Sequence, residues 1–420
     1  MTVSDLKGKT VAALVSGGLD SCTVTRWLTD NGVKVVCITI DLGQKDDDLE
    51  EVKKRMLACG AVEAITIEGK EKMADAGILL IQSQALYEGE YWNTTGVARH
   101  VTVELALPEL QKRGIKILTH GATGRGNDQV RFQIVTNMLD PSIEVYAPWR
   151  DKAFLEAFGG RKEMIDFCEK RGLPIRHSHA KPYSTDANLL GLTHEAGKLE
   201  LLDTPALFIT PEMGNSPLEA PDEKETFTVT FEAGWPVKIN GKKVSSTQAF
   251  EMANALGGKH GIGIGRHVLE NRFVGIKSRG VYEMPGIVLL GKCYDYLLET
   301  ILDRRARELF NNLAKYLGKQ VYQAYWFDTG SQAAMAAIKT FSDLASGTIA
   351  VEMYKGQIFF QSASDAPHNL YSEEAASMEK IGSFNHEDSE GFLRILGVSA
   401  KNLAVKKQVS PDVFKKRSKH

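Results

Sequence analysis

The chain has 420 residues, 43% of them hydrophobic and 25% charged, and a formal net charge of −2. That length exceeds one ordinary core and predicts two domains with additions. The near-neutral charge argues against a nucleic-acid binder, and the lack of any stretch of about 18 apolar residues argues against a membrane span. The opening MTVSDLKGKT carries no apolar leader core. The five cysteines (Cys22, Cys37, Cys59, Cys168, Cys293) never stand at CxxC spacing, so they read as reduced thiols of a cytoplasmic protein without a thiolate zinc site.

In chain order, TVAALV (10–15) reads as a buried strand followed by a helix over 19–30. KVVCITI (34–40) is a second, β-branched strand, and 46–60 a helix with acidic residues at its start and Gly60 to end it. VEAITI (62–67) is a third strand, with helices over 71–86 and 97–113. IKILTH (115–120) and IEVYAP (143–148) are two more strands, with a helix from Asp128 between them and another over 161–171. Alternation of this kind predicts a doubly wound, mostly parallel sheet ending near residue 180.

Composition then changes. Residues 203–224 carry four prolines and read as a long surface connection. The alternating stretch 227–244 turns at Asn240-Gly241, and 347–363 forms a second hairpin turning at Lys355-Gly356. With helices over 246–256, 289–317 and 330–345, this half is mixed α+β. The predicted division is a nucleotide-binding domain over 1–180, a synthetase and multimerisation domain over 181–385, and a C-terminal oligomerisation segment over 386–420 with a basic end.

The corner after the first strand is Ser16-Gly17-Gly18-Leu19-Asp20-Ser21. A strand–turn–helix with glycines at the turn aims unpaired backbone N–H groups at whatever sits above the helix start. Gly17 and Gly18 let an anion approach, Ser16 and Ser21 add hydroxyls, and Asp20 suits a bridging Mg²⁺ or a helix cap. Neither GxxxxGK[ST] nor GxGxxG is present here, which excludes a Walker loop and a dinucleotide fingerprint. HGATGRGNDQVRF (120–132) packs three glycines into six residues, so Thr123, Asn127 and Asp128 lie on a loop at the carboxyl end of the fourth strand, where open α/β sheets bind ligands. Arg131, one turn on, can present its guanidinium to a carboxylate.

STDANLLGLTHE (184–195) reads as ordinary loop, and 259–286 as a charged ligand segment around Glu270, Arg272, Lys277, Arg279, Tyr282 and Glu283. His177 and His179, with no third ligand nearby, read as solvated rather than as a metal pair.

Ser16–Ser21 resembles the SGGxDS loop of the ATP pyrophosphatases, which holds the pyrophosphate released when ATP is cut at its α-phosphorus. With DLGQ, ALYEGEYWNTTGVAR, HGATGRGNDQVRF, APWR, KPYSTDANLLG, THEAG, GKHGIG, LENRFVGIKSRGVYEMPG, LYSEE and EGFLRI, the chain resembles the argininosuccinate synthases over nearly its whole length. The resemblance implies a cytoplasmic homotetramer that joins citrulline to aspartate through a citrullyl-adenylate, using ATP and Mg²⁺ and serving arginine biosynthesis. It places Leu14, Val15, Ser16, Gly17, Gly18, Leu19, Asp20, Ser21, Cys22, Ile40, Gly121, Thr123, Asp128 and Asp186 around ATP. Thr123, Asn127 and Asp128 match aspartate-binding positions. Tyr91, Asn127, Arg131, Ser184, Thr193, Glu195, Glu270 and Tyr282 match citrulline-binding positions. Mg²⁺ would ride on the ATP phosphates, with Asp20 as its protein ligand, and no general base is assigned.

Four departures from commoner members stand out. Cys22 replaces a serine, Ile40 an alanine and Arg125 a lysine, while Gly96 stands where a citrulline-contacting serine is usual, so that hydroxyl must come from Thr94 or Thr95 or be absent. The alternatives are another adenylating pyrophosphatase, such as a tRNA thiolation enzyme, or a nucleotide-binding module without catalysis. The first wants catalytic cysteines and a basic RNA face, and the second the loss of Asp20 or of the charged set; this sequence shows neither.

Overall fold

Strand Thr10–Leu14 (β1) is buried on both faces, and its side chains divide by parity: Ala12 and Leu14 enter one apolar cluster, Val11 and Ala13 another. A computed structural model describes residues 1–44, 48–124, 126–175, 182–379, 381–382 and 385–410. Helix Leu19–Asp30 (α1) leads to Lys34–Asp41 (β2), whose Val36, Ile38 and Ile40 join the first cluster and Val35 and Cys37 the second. Period-2 alternation with both faces apolar is the mark of a sheet covered by helices on either side, each buried aliphatic side chain contributing about 1.5–3 kcal/mol.

Those helices follow in order: Leu49–Ala58 (α2), strand Glu63–Glu68 (β3), Lys70–Ser83 (α3), Thr94–Lys112 (α4), strand Ile117–His120 (β4), Asp128–Leu139 (α5), strand Glu144–Tyr146 (β5), Lys152–Ala157 (α6) and Arg161–Lys170 (α7). Residues of α1, α2, α6 and α7 fill the second cluster, and those of α3, α4 and α5 the first. The strand order is β3-β2-β1-β4-β5, all parallel. The expected doubly wound sheet is therefore present, and its order reverses between β1 and β4. That switch point opens a crevice at the strands' carboxyl ends.

The remaining part of Met1–Asn369 is built from two antiparallel sheets. Ser184–Asn188 (β6) and Gly191–Glu195 (β7) are a strand pair where the sequence predicts loop, and Arg266–Asn271 (β11) and Lys277–Glu283 (β12) complete a sheet ordered β11-β12-β7-β6. Between them in sequence come Glu225–Glu232 (β8), Trp235–Ile239 (β9), Lys242–Lys243 (β10) and Ser246–Lys259 (α8). Helices Pro285–Ile301 (α9), Arg304–Tyr322 (α10) and Thr329–Ser342 (α11) then lead to Gly347–Tyr354 (β13) and Gln357–Ser364 (β14), which close the sheet β10-β9-β8-β13-β14. Both predicted hairpin turns form, at Asn240-Gly241 and Lys355-Gly356. The single helix expected over 289–317 is two, because Asp303 caps a new helix by accepting from the Ala306 N–H at 2.8 Å. The first apolar cluster continues from the parallel layer into Phe227, Val229, Phe250, Leu290 and Phe310.

Residues Leu370–His420 form a separate unit. Its described part holds Glu373–Ala376 (α12) and the 20-residue helix His386–Val405 (α13), no residue of which is buried. The boundary near 180 and the pair His177 and His179 lie outside the described residues, as does Arg125.

Candidate active site

The corner after β1 is shaped from behind. Gly17 has φ of +75°, a conformation that favours glycine, and a Cβ there would stand 2.8 Å from Val52 Cγ2 on α2. From the same helix Arg55 Nη1 donates to the Gly17 carbonyl at 2.7 Å. In front, the Ser16 N–H donates to Ser21 Oγ at 3.0 Å, which places both hydroxyls together. Gly18 caps α1 without a side chain, so the first-turn amides have no capping acceptor and are available to an anion. Burial raises the pKa of Asp20, opposed by the Trp149 indole and Arg161. A carboxylate in that state suits a cation.

A second group of charges joins α4, α5 and β6. Arg99 donates from Nε and Nη2 to Asp128 Oδ2 at 2.9 and 2.8 Å, and its Nη2 also reaches Asp186. Arg131 Nη1 donates to Asp128 Oδ1 at 2.9 Å. Burial alone would raise the Asp128 pKa; the two guanidiniums outweigh it and hold the carboxyl at about 2. Arg131 is 4% exposed, and its Nη2 has no protein partner. A buried guanidinium nitrogen without an acceptor is costly alone and fits a carboxylate ligand.

The third group is aromatic and acidic. The antiparallel register sets Tyr282 opposite Thr193, and Thr193 opposite Asp186, so three strands offer one side chain each along a single row. Glu195, two residues past Thr193, lies on the same face and opposite Ser184. Tyr91 stacks on Tyr282, with centroids 4.2 Å apart, and its hydroxyl accepts from the Thr95 N–H at 2.9 Å. Tyr282 donates to Glu270 Oε1; Tyr322 donates to Glu270 Oε2 at 2.7 Å and accepts from Asn127 Nδ2 at 2.7 Å. Glu195 is recessed. Burial pushes its pKa to about 7, helped by Asp128, Asp186 and Glu270 and opposed by Arg272.

On the other face of that sheet His194 Nε2 meets Glu283 Oε1 at 2.5 Å, both fully buried. Glu283 also accepts from the Glu212 and Met213 amides, tying the loop to the sheet.

All three groups open onto one cavity of about 2030 Å³. The residues expected at ATP, aspartate and citrulline all line it except Leu19 and Cys22, which pack into the second apolar cluster behind the corner; Glu283, also singled out from the sequence, lies on the other face of the sheet. The Cys22 thiol is buried there, so its exchange for serine does not reach the cavity wall. Ile40 lines the wall with an apolar side chain. A Cβ at Gly96 would stand in ordinary contact, 3.6 Å from Asn93 Oδ1 and 3.7 Å from Arg131 Nη2, and the Thr95 hydroxyl reaches Thr193 at 2.7 Å.

The sequence reading missed Arg55, Arg99 and Trp149, which also line the cavity, and Tyr322 behind it. For β6 and β7 a signal existed: Ser184 and Asp186, then Thr193 and Glu195, at period 2 on either side of a turn. Nothing local marks Tyr322, which arrives from a distant helix.

A parallel α/β layer with an anion-binding corner at its switch point, sharing one cavity with paired carboxylates and guanidiniums, defines an enzyme that uses a nucleotide on a zwitterionic substrate. Comparison with known proteins gives the family. Residues 10–174 match the arginosuccinate synthase N-terminal HUP domain, and residues 183–403 the arginosuccinate synthase C-terminal domain. The chain is 39% identical over 408 residues to an argininosuccinate synthase of Rhodopirellula baltica, covering 97% of this chain and all of that one. It is 36% identical to that of a Thermotoga strain, over 93% of this chain and 96% of that one, and 34% to that of Lachnospira eligens, over 96% and 98%. The chain belongs to the argininosuccinate synthase family of ATP-dependent ligases.

Proposed function

We propose that the cavity joins citrulline to aspartate in two steps, with ATP cleaved to AMP and pyrophosphate. The observation that carries this is the sharing of one cavity by the Ser16–Ser21 corner and the pair Arg131 and Glu270. The ureido oxygen of citrulline is a poor nucleophile and a worse leaving group. Its attack on the α-phosphorus expels pyrophosphate and makes that oxygen part of a good leaving group. The aspartate amine then attacks the ureido carbon and AMP departs.

The chain's own part is alignment and charge. Arg131, with Nη2 unpartnered, takes the citrulline carboxylate, and Glu270 with Glu195 takes its ammonium. Tyr91, Ser184, Thr193 and Tyr282 wall the citrulline. Thr123 and Asn127 take aspartate carboxylates, and Asp128, held ionised by Arg99 and Arg131, lies near the aspartate amine. Leu14, Val15, Ile40, Gly121 and Asp186 line the nucleotide's side. Holding the ureido oxygen in line with the departing group contributes roughly 7–11 kcal/mol to such reactions. Amides and hydroxyls of Ser16–Ser21 meet the charge that develops on pyrophosphate.

Among the described residues no cluster of three or more metal-ligating side chains exists. A Mg²⁺ would therefore be held through the ATP phosphates with Asp20 as its protein ligand, supplying charge neutralisation there. The same reading assigns 1–180 to nucleotide binding, 181–385 to synthetase and multimerisation roles, and 386–420 to oligomerisation within a cytoplasmic homotetramer. Among the described residues no helix is long and apolar enough to cross a membrane.

Radiolabel exchange between pyrophosphate and ATP tests the first step, and AMP formation on adding aspartate the second. Exchange that requires citrulline, with AMP that requires both amino acids, supports the reading. Exchange or AMP release indifferent to citrulline would sink it.

A further inference from the structure

Tyr322 ends α10, far in sequence from every residue that lines the cavity, yet it meets three of them. Its hydroxyl donates to Glu270 Oε2 and accepts from Asn127 Nδ2, both at 2.7 Å. Its carbonyl, near a helix end where acceptors are left over, accepts from Arg131 Nε at 3.2 Å. The Arg131 guanidinium also lies 5.0 Å from the centre of its ring, a cation–π contact. That ring is stacked flat on Tyr87 at 3.6 Å, with planes 6° apart.

The helix end is itself pinned. A Cβ at Gly318 would fall 2.2 Å from the Leu86 carbonyl oxygen, so α10 approaches the 85–93 segment at a distance that only glycine allows. Asn93 Nδ2 donates to both Ala85 and Gly318 carbonyls at 3.0 Å. The segment so fixed also carries Tyr91, which stacks on Tyr282. Tyr322 is thus registered against the same wall as the cavity's other tyrosines.

We propose that Tyr322 is a positioning residue for citrulline: one side chain and its carbonyl set the separation between Glu270, which takes the ammonium, and Arg131, which takes the carboxylate. This rests on the citrulline reading given above. Tyr322 is not part of the cavity lining. It acts by fixing the second oxygen of a carboxylate whose first oxygen Tyr282 already holds, and by orienting the Asn127 amide. With the hydroxyl gone, Glu270 keeps its Tyr282 partner but gains a rotational freedom it must give up on binding citrulline.

Tyr322→Phe keeps the ring and its stack on Tyr87 and deletes only the hydroxyl. Steady-state kinetics is expected to show KM for citrulline raised about tenfold, the worth of one hydrogen bond to a charged group, with KM for ATP within about twofold. In a Glu270→Gln background the same change is expected to add little, because both act on one interaction. Unchanged citrulline KM, an equal rise in both KM values, or full additivity with Glu270→Gln would overturn the proposal. So would a Phe variant that does not fold, since the hydroxyl would then serve the core rather than the site. A parent enzyme without citrulline-dependent exchange fails the functional reading itself; an active parent with an unaffected Phe variant fails only the role of Tyr322.

Discussion

The guanidinium of Arg55 holds the peptide of Gly17 through a 2.7 Å hydrogen bond to its carbonyl. Arg55 is 5% exposed, though it follows Lys53 and Lys54 in what reads as a solvated helix face. The bond fixes the loop whose free first-turn amides are proposed to meet the phosphate oxygens of ATP. Tyr322 does the same for the citrulline end. Replacing Arg55 by glutamine is expected to lower pyrophosphate–ATP exchange by about 10- to 100-fold, the cost of stranding a buried carbonyl. Lysine, which keeps charge but not the fork, falls between. Exchange at parental rates in Arg55→Gln would show that the loop needs no support from α2.

Gly17 gives a separable prediction. A side chain there meets Val52 and must also adopt φ of +75°. Steric contact is removable and backbone strain is not, the latter costing about 1–2 kcal/mol for a residue with a Cβ. Gly17→Ala is therefore expected to lose most exchange activity, and Gly17→Ala with Val52→Ala to recover part of it. Full recovery in the double variant would mean that the contact alone mattered, and none would mean that the loop conformation alone did.

Glu195 sets a pH dependence. Burial, with the repulsion of Asp128, Asp186 and Glu270, moves its pKa up to about 7. The neutral form thus dominates below that pH, and the charged form that attracts an ammonium dominates above it. The kcat/KM for citrulline is expected to rise as pH increases through about 7 and then level off, and Glu195→Gln to flatten that limb. For folding the sign is opposite: a carboxyl with a raised folded-state pKa contributes stability at low pH that is lost as pH climbs from the unfolded value toward 7. The parent should melt lower at pH 8 than at pH 6 by a margin that Glu195→Gln reduces. A citrulline limb unchanged in Glu195→Gln assigns the titration to another group.

The parallel layer was legible because its physics is local. A strand buried on both faces reads as an apolar run, and Gly17 and Gly18 mark where the run must turn. The glycine corner, the loop with Thr123 and Asn127, and the helix start that carries Asp128 and Arg131 were legible for the same reason. Residues 184–195 misled because β6 is short, polar and half exposed, so its apolar signal is weak; its strand character comes from pairing with β7, and β7 in turn pairs with β12. The break between α9 and α10 rests on Asp303 alone, inside an otherwise helical pattern. Arg99, Arg55 and Tyr322 were illegible because each looks like an ordinary helix residue until tertiary packing brings it against a partner 29 or more positions away.

The helix α13 presents Phe392, Leu393, Ile395, Leu396 and Val398, all exposed. A 20-residue helix without buried side chains has only propensity to sustain it, which in water is marginal; helices of this kind gain most of their stability by packing an apolar face. Five large apolar residues within seven positions need a cover, and in the proposed homotetramer a second copy of the chain provides it. Its acidic start, Glu387 and Asp388, suits the helix dipole, so the element is built to be helical once covered. Leu396→Asp puts a charge into that face and is expected to shift the sedimentation coefficient from the tetramer to a smaller species, with a loss of helical circular dichroism. Removal of residues 386–420 should leave the smaller species alone. A full-length chain that sediments as a monomer, or a Leu396→Asp variant that remains tetrameric, would show that another surface makes the contact.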